Sequence, residues 1–492
     1  MRSLLGANSG LGRLCRSLIL RSRRSIALVL SAVLVHAFAL GQNLPASVEV
    51  QLKKVGLPES SLSAVVRSLD LPKAGAPQAS PLLAHHSDVL RTPASLMKLL
   101  TTQVALDQLG PGFTWKTAFY KEGELKGDGV LEGNVYIKGG GDPKLTLDVA
   151  WKMMQKLRAF GIKRIQGDLV LDKSVFETVS QDPGAFDDQP LRPYNVGADA
   201  LLINFNALLI TFIPDLQAGV ARVQVQPPMQ GVSVQATVPL VKGPCTDYRA
   251  ALKANFDNPS TLQFKGVYAS ECQERIWPLA YPKPEEYTER ALGGMWQALG
   301  GTVSGKVRLG LVPAALKPLW VESSSTLAQV IRDMNKFSNN VMAQQLFLSL
   351  SLGAARPASF EQSQERVKSW WSLNMPKTNP LAVIDKGSGL SRSESITASG
   401  LADVLELAWR SPWMPEFVAS LPSVAQEGTL ERSGLGVMAH LKTGSLKDAV
   451  GIAGFVQTPR GARYIVVAMI NDPKANSARG VLDALVNWVA EQ

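Results

Sequence analysis

Ser95 and Lys98 stand three residues apart in RTPASLMKLLTT, residues 91–102, just after a proline. At helical spacing this brings a hydroxyl and an amine to one face. A helix start also offers free backbone N–H groups to a developing oxyanion. A lysine acts as a base only when neutral, and burial or a second nearby cation pushes its pKa down. Alone the pair says little, because a helix cap beside a solvated lysine has the same spacing. Two further stretches add to it. FSNNVMAQ holds Ser338 and Asn340, and HLKTGSL holds Lys442, Thr443, Gly444 and Ser445. Ser338 could relay a proton to a leaving amine, and the Asn340 amide could hold a peptide bond. Lys442 supplies positive charge. Gly444 lets a substrate strand approach the backbone, and the hydroxyls of Thr443 and Ser445 could bind a terminal carboxylate.

Elements of both kinds must carry these residues. Leu96, Leu99, Leu100 and Val104 recur at helical spacing up to Gly110-Pro111. Thr146 is placed to cap a second helix with Ala150, Met153, Met154, Leu157 and Phe160 on its apolar face. Helical periodicity returns at Leu327, Val330, Ile331 and Met334, and again at Leu401, Val404, Leu405 and Ala408. Between them, residues 205–285 read as β-rich. ARVQVQPPMQGVSVQATV alternates on both sides of PPMQG and reads as a hairpin, and TLQFKGVYAS reads as another strand. Near the end, AVGIAGFV and RYIVVAMIND form an expected antiparallel hairpin, followed by a helix with Leu482, Leu485, Val486 and Val489 on one face. A sheet flanked by terminal helices makes an α/β (α+β) core in which the two ends of the chain pack together.

The chain has 492 residues, 46% hydrophobic and 19% charged, enough for two or three domains. Six arginines precede the first acidic residue and lead into SIALVLSAVLVHAFALG, which reads as a cleavable secretory signal over residues 1–41. The alternative is an uncleaved anchor, though the apolar run is short for a membrane span. Without those arginines the charge falls from +10 to +4. That excess does not point to nucleic acid, and it is compatible with weak attraction to an anionic envelope surface. The expected location is periplasmic, with at most peripheral membrane association. Cys15 lies in the signal. Cys245 and Cys272, 27 residues apart, suggest a disulfide in an exported chain, the alternative being two buried thiols. With only His85, His86 and His440 left to join them, no metal site is expected. KGGGDP lacks the ending of a phosphate loop, and no cofactor is expected. His85 and His86 lie on a polar approach to the first helix and His440 precedes a strand, so a Ser-His-Asp arrangement is not favoured.

Ser-x-x-Lys, Ser-x-Asn and Lys-Thr-Gly, in this order, are the motif set of penicillin-binding proteins and class A β-lactamases. The chain resembles a D-alanyl-D-alanine carboxypeptidase/endopeptidase of the low-molecular-mass class C penicillin-binding proteins, the peptidase S13 type. YIKGGGDPKL (136–145), YNVGADALLINFNAL (194–208), KGSGLSR (386–392) and AGFV (453–456) support the likeness. Positions 95 and 338 stand 243 residues apart, which suits a class with domains inserted into a transpeptidase-like domain. The resemblance implies a split catalytic domain at 42–112 and 315–492, an inserted domain at 113–204 and 286–314, and a β-rich inserted domain at 205–285. It implies that Ser95 is acylated, that Lys98 is its base, and that the N–H groups of Ser95 and Ser445 form the oxyanion hole. The implied substrates are peptidoglycan stem peptides, with β-lactams as covalent inhibitors. Ser445 stands where the family often has threonine, and Gln344 where an acidic residue is common. FDDQ (186–189) resembles a segment whose aspartate contacts the diaminopimelate amine. That role falls on Asp188, with the adjacent Asp187 as the alternative. A β-lactamase or esterase on the same scaffold, or a non-catalytic peptidoglycan-binding protein, are the competing readings. Oligomeric state and the preference between carboxypeptidase and endopeptidase are left open.

Overall fold

A five-stranded antiparallel sheet joins the two ends of the chain. The computed structural model describes residues 43–70, 80–178, 182–353 and 356–492, and Pro45–Gln492 forms one compact unit. The signal segment, residues 1–41 with Cys15, lies outside the described residues. In chain order the elements around the sheet are α1 (Ala46–Val55), β1 (Leu62–Ser68), β2 (Leu83–His85), α2 (Met97–Leu109), α3 (Leu327–Lys336), α4 (Asn340–Ser349), α5 (Phe360–Asn374), α6 (Ala398–Arg410), α7 (Met414–Ser420), β3 (Met438–Leu446), β4 (Ala449–Gln457), β5 (Arg463–Asn471) and α8 (Arg479–Ala490). The strand order is β2-β1-β5-β4-β3. β1 pairs along its full length with β5, from Leu62 opposite Ile470 to Ser68 opposite Tyr464.

The expected C-terminal hairpin is present as β4 and β5. β4 is buried from Ala449 to Val456, because helices cover both faces of the sheet. α8 packs on β4 and β5 together with α1, while α6 packs on β1 and β5. The expected apolar stripes are buried in α3, α6 and α8. α2 is buried on every side from Met97 to Leu106, so it is the central helix of the larger core rather than an amphipathic surface one. Among the described residues no helix is long and apolar enough to cross a membrane.

Residues between α2 and α3 build further sheets. Lys116–Lys121, Val135–Lys138, Leu169–Asp172, Val307–Leu309 and Trp320–Ser323 form one of them. Its last strand reaches beyond residue 314, the boundary expected for the insertion. Another contains Ala207–Asp215, Val220–Gln226, Thr237–Val241, Tyr268–Ala269 and Arg275–Ala280. The 205–285 section shares one hydrophobic core with the section before it, joined through Tyr287, Met295 and Trp296 of helix Pro284–Ala298. The hairpin expected around PPMQG is largely replaced. Val220–Gln226 pairs along its whole length with the preceding strand and meets Thr237–Val241 only from Val220 to Arg222. TLQFKGVYAS forms two short strands rather than one. Thr146 precedes its helix but makes no cap bond; its hydroxyl donates to Asp148 at 2.6 Å instead. Phe160 is 41% exposed rather than part of that helix's buried face. Cys245 and Cys272 are joined, S–S 2.03 Å.

Candidate active site

Ser95 sits in a 3-10 turn, Ala94–Leu96, that leads directly into α2. The residue before it, Ala94, has φ 48°, a left-handed conformation that costs a non-glycine residue about 1–2 kcal/mol. The turn is held from three sides. Asn471, at the end of β5, accepts from the Thr92 N–H at 2.8 Å and donates to the Thr92 carbonyl at 3.0 Å. Gly444 of β3 lies against it so closely that a Cβ there would stand 2.8 Å from the Pro93 oxygen and 3.2 Å from the Ser95 nitrogen. At Gly389, with φ +79°, a Cβ would fall 1.9 Å from the Ala94 oxygen. Glycine is required at both for the chain segments to meet.

Lys98, the second residue of α2, lies one turn after Ser95 and is fully buried. Its Nζ is 2.9 Å from Ser95 Oγ and 2.7 Å from Asn340 Oδ1, and it also donates to the Ser388 carbonyl. Burial holds the amine well below its ordinary pKa, and the charge of Lys442 lowers it further against an opposing pull from Glu394. A neutral amine has two N–H donors and one lone pair. Asn340 and Ser388 take the donors, so the lone pair is left for the Ser95 hydroxyl proton.

Asn340 opens α4 and follows Asn339, whose side chain caps that helix by accepting from Met342 N–H at 3.0 Å. Ser338, between α3 and α4, has φ 55°. Lys442 on β3 donates to Ser338 Oγ at 2.9 Å and to the Thr443 carbonyl at 2.7 Å. It too is fully buried, and burial pushes its pKa down to about 7. β3 is an edge strand, so part of its backbone hydrogen-bonding capacity faces away from β4. Thr443 Oγ1 meets Thr429 Oγ1 at 2.9 Å, and Ser445 is exposed two residues along.

Glu394 supports the site from behind. It is 1% exposed and accepts backbone N–H bonds from Asp385, Lys386, Gly387 and Gly389. It thereby shapes the loop whose Ser388 carbonyl meets Lys98. Thr101 of α2 pins the same loop by donating to Gly387 O at 2.7 Å. No spacing rule assigns these roles from the sequence; a glutamate shortly after KGSGLSR was the only available signal.

Of the expected residues, Ser95, Lys98, Ser338, Asn340, Lys442, Thr443 and Gly444 converge here. Asp188 is exposed, with φ 58°. Its neighbour Asp187 is engaged, accepting from Gln189 N–H, Tyr194 Oη and Asn195 Nδ2. Their loop reaches the site through Phe186, which stacks under Arg392 at 4.5 Å, and through the Tyr194 carbonyl, 3.5 Å from Asn340 Nδ2. Gln344 is buried with Oε1 unpartnered. His85 Nε2 meets the Glu59 carbonyl and His440 Nδ1 meets Ser423 Oγ, so neither pairs with Ser95.

A serine and a buried lysine at a helix start, with a second lysine on the edge strand β3 bonded to a second serine in the α3–α4 connection, define a serine acyl-transfer enzyme. Comparison with known proteins gives the family. The profile of the D-Ala-D-Ala carboxypeptidase 3 (S13) family matches residues 46–492, and the chain belongs to that family. As a member it is a serine-type D,D-carboxypeptidase, a penicillin-binding hydrolase. It is 28% identical to D-alanyl-D-alanine carboxypeptidase DacB of Haemophilus influenzae over 77% of this chain and 80% of that one. It is 27% identical to the D-alanyl-D-alanine carboxypeptidase of Actinomadura sp. (strain R39), over 81% and 77%. The crystal structure of penicillin binding protein 4 (dacB) from Haemophilus influenzae superposes with a TM-score of 0.71 at 24% identity, covering 90% of this chain and 99% of that one. It has the same fold.

Proposed function

We propose that Ser95 is the residue acylated when this enzyme cleaves the D-alanyl-D-alanine end, or a D-alanyl cross-link, of peptidoglycan stem peptides. The observation that carries this reading is the 2.9 Å contact between Ser95 Oγ and the buried Lys98 amine. Neutral Lys98 takes the hydroxyl proton while Oγ attacks the carbonyl carbon of the penultimate D-alanine. The N–H groups of Ser95 and Ser445 hold the oxyanion. Ser338, hydrogen-bonded to Lys442, relays the proton taken up by Lys98 to the departing amine, and the peptide bond breaks. Water then attacks the acyl-enzyme and frees Ser95. Asn340 orients the peptide. Thr443, Ser445 and the Lys442 charge bind the terminal carboxylate, the substrate strand lies along the free edge of β3, and Gly444 makes room for the Ser95 turn rather than for that strand. Asp188, exposed on the loop beside the site, binds the diaminopimelate amine. The same reading divides the chain into a split catalytic domain with insertions at 113–204 with 286–314, and at 205–285, the strand Trp320–Ser323 carrying the end of the insertion beyond 314. It places the mature protein in the periplasm after removal of residues 1–41.

β-Lactams acylate Ser95 by the same route. One homologous structure, penicillin binding protein 4 of Haemophilus influenzae, carries a β-lactam in complex. Incubation with fluorescent penicillin followed by peptide mass analysis is expected to put the adduct on Ser95 and to lose it in Ser95→Ala. An unlabelled parent protein would sink the reading. Digestion of purified muropeptides with a mass readout then identifies the bond cut.

A further inference from the structure

Away from Ser95, helix Leu147–Ala159 and strand Val220–Gln226 leave a groove of about 890 Å3 between them, within the about 300–1,000 Å3 of small-molecule clefts. Its lining combines Trp151 with Gln155, Asn204, Gln224, Gln226 and Pro228. Trp151 and Gln155, four residues apart, share one helical face. Gln224 and Gln226, two apart on the strand, share another. The strand Thr237–Val241 pairs only with Val220 to Arg222, so the Gln224–Gln226 end is not covered by it. The charges at the rim are already matched, since Asp148 accepts from Thr146 Oγ1 at 2.6 Å and lies 3.8 Å from Lys152. Among the described residues, the side chains of Gln155, Gln224 and Gln226 make no hydrogen bond with the rest of the protein.

The groove therefore offers an indole face and three free carboxamides, with no unmatched charge. Each carboxamide carries two donors and an acceptor, which suits hydroxyl and acetamido groups. An indole face suits the C–H face of a sugar ring or an acetamido methyl. An anionic phosphate or a charged peptide would meet only the Lys152–Asp148 pair, which carries no net charge. We infer that the groove is a glycan subsite. It takes N-acetylhexosamine units, with Trp151 against a ring and Gln155, Gln224 and Gln226 bonded to its polar groups. The identity of the polymer, the sugar backbone that bears the stem peptides, rests on the peptidase reading above. Holding an insoluble polymer at a second point raises the local concentration of its peptides at Ser95 without any new contact there.

The test uses the full chain with two variants, Trp151→Ala and Gln224→Ala/Gln226→Ala, and peptide-free glycan strands as the binding probe. Each variant is expected to lose about tenfold in cosedimentation with the strands, the scale of removing one aromatic anchor or its polar partners. Cleavage of a soluble pentapeptide ending in D-Ala-D-Ala is expected to stay at the parent rate, which shows that the variants fold. Cleavage of intact sacculi is expected to fall with glycan binding. Variants that bind strands and digest sacculi like the parent would overturn the subsite while leaving the peptidase standing. A parent that cleaves no pentapeptide, yet binds strands through Trp151, would overturn the peptidase reading and support the subsite.

Discussion

Two lysines in one site divide two tasks by their surroundings. Lys98 is depressed by burial and then by the Lys442 charge, which suits the proposed role of base. Lys442 titrates at about 7 and holds the proton below that pH. Removing the Lys442 charge must raise the Lys98 pKa. Lys442→Met is therefore expected to move the acid limb of the acylation rate to higher pH, whatever it does to the maximum. A pH profile of β-lactam acylation checks this, and an unmoved limb would mean that the two amines do not interact. The same residue predicts a stability effect. Its folded pKa lies below its unfolded value, so the folded chain binds fewer protons between about 7 and 10.5, and stability rises with pH across that window. Lys442→Met is expected to stabilise the fold at pH 7. It should also remove up to about 1.4 kcal/mol per pH unit from the slope, as read by denaturant unfolding from pH 7 to 10.

At the scale of elements, the site depends on a loop that the motifs do not describe. Glu394 collects four N–H groups, and the loop it shapes fixes one of the two acceptors that saturate Lys98. Glu394→Ala leaves those donors buried without a partner, at a cost of about 3 kcal/mol or more. Denaturant unfolding should show that loss, and the surviving folded protein should acylate more slowly. A variant with normal stability and normal acylation would remove Glu394 from the site's support. The three motifs were legible because each is a short local pattern. Glu394 and Asn471 were not, because their partners lie far away in the chain: Asn471 binds Thr92 across 379 residues. The strand alternation of 220–226 was legible too. Its partner was misjudged, since PPMQG signalled a turn while the preceding strand supplied the longer match. Thr146 fits a cap by type, but Asp148 competed for its hydroxyl.

For the whole molecule, the section between α2 and α3 is large but its disulfide is local. Cys245–Cys272 closes a 27-residue separation, a constraint of about 3 kcal/mol on the unfolded chain. Cys245→Ser/Cys272→Ser is expected to unfold at lower denaturant, while pentapeptide cleavage by folded protein stays near the parent rate. Loss of cleavage without loss of stability would tie this distant section to the chemistry. The antiparallel partnership of β1 with β5 reaches further. Seven residues near the start of the described chain align with seven close to its end, and the nucleophile's turn is tied to the same late strand. While the protein is being made, β1 emerges long before its partner β5. The sheet that carries the Ser95 turn must wait, unassembled, until β5 has emerged, and a product cut short before Arg463 would be inert.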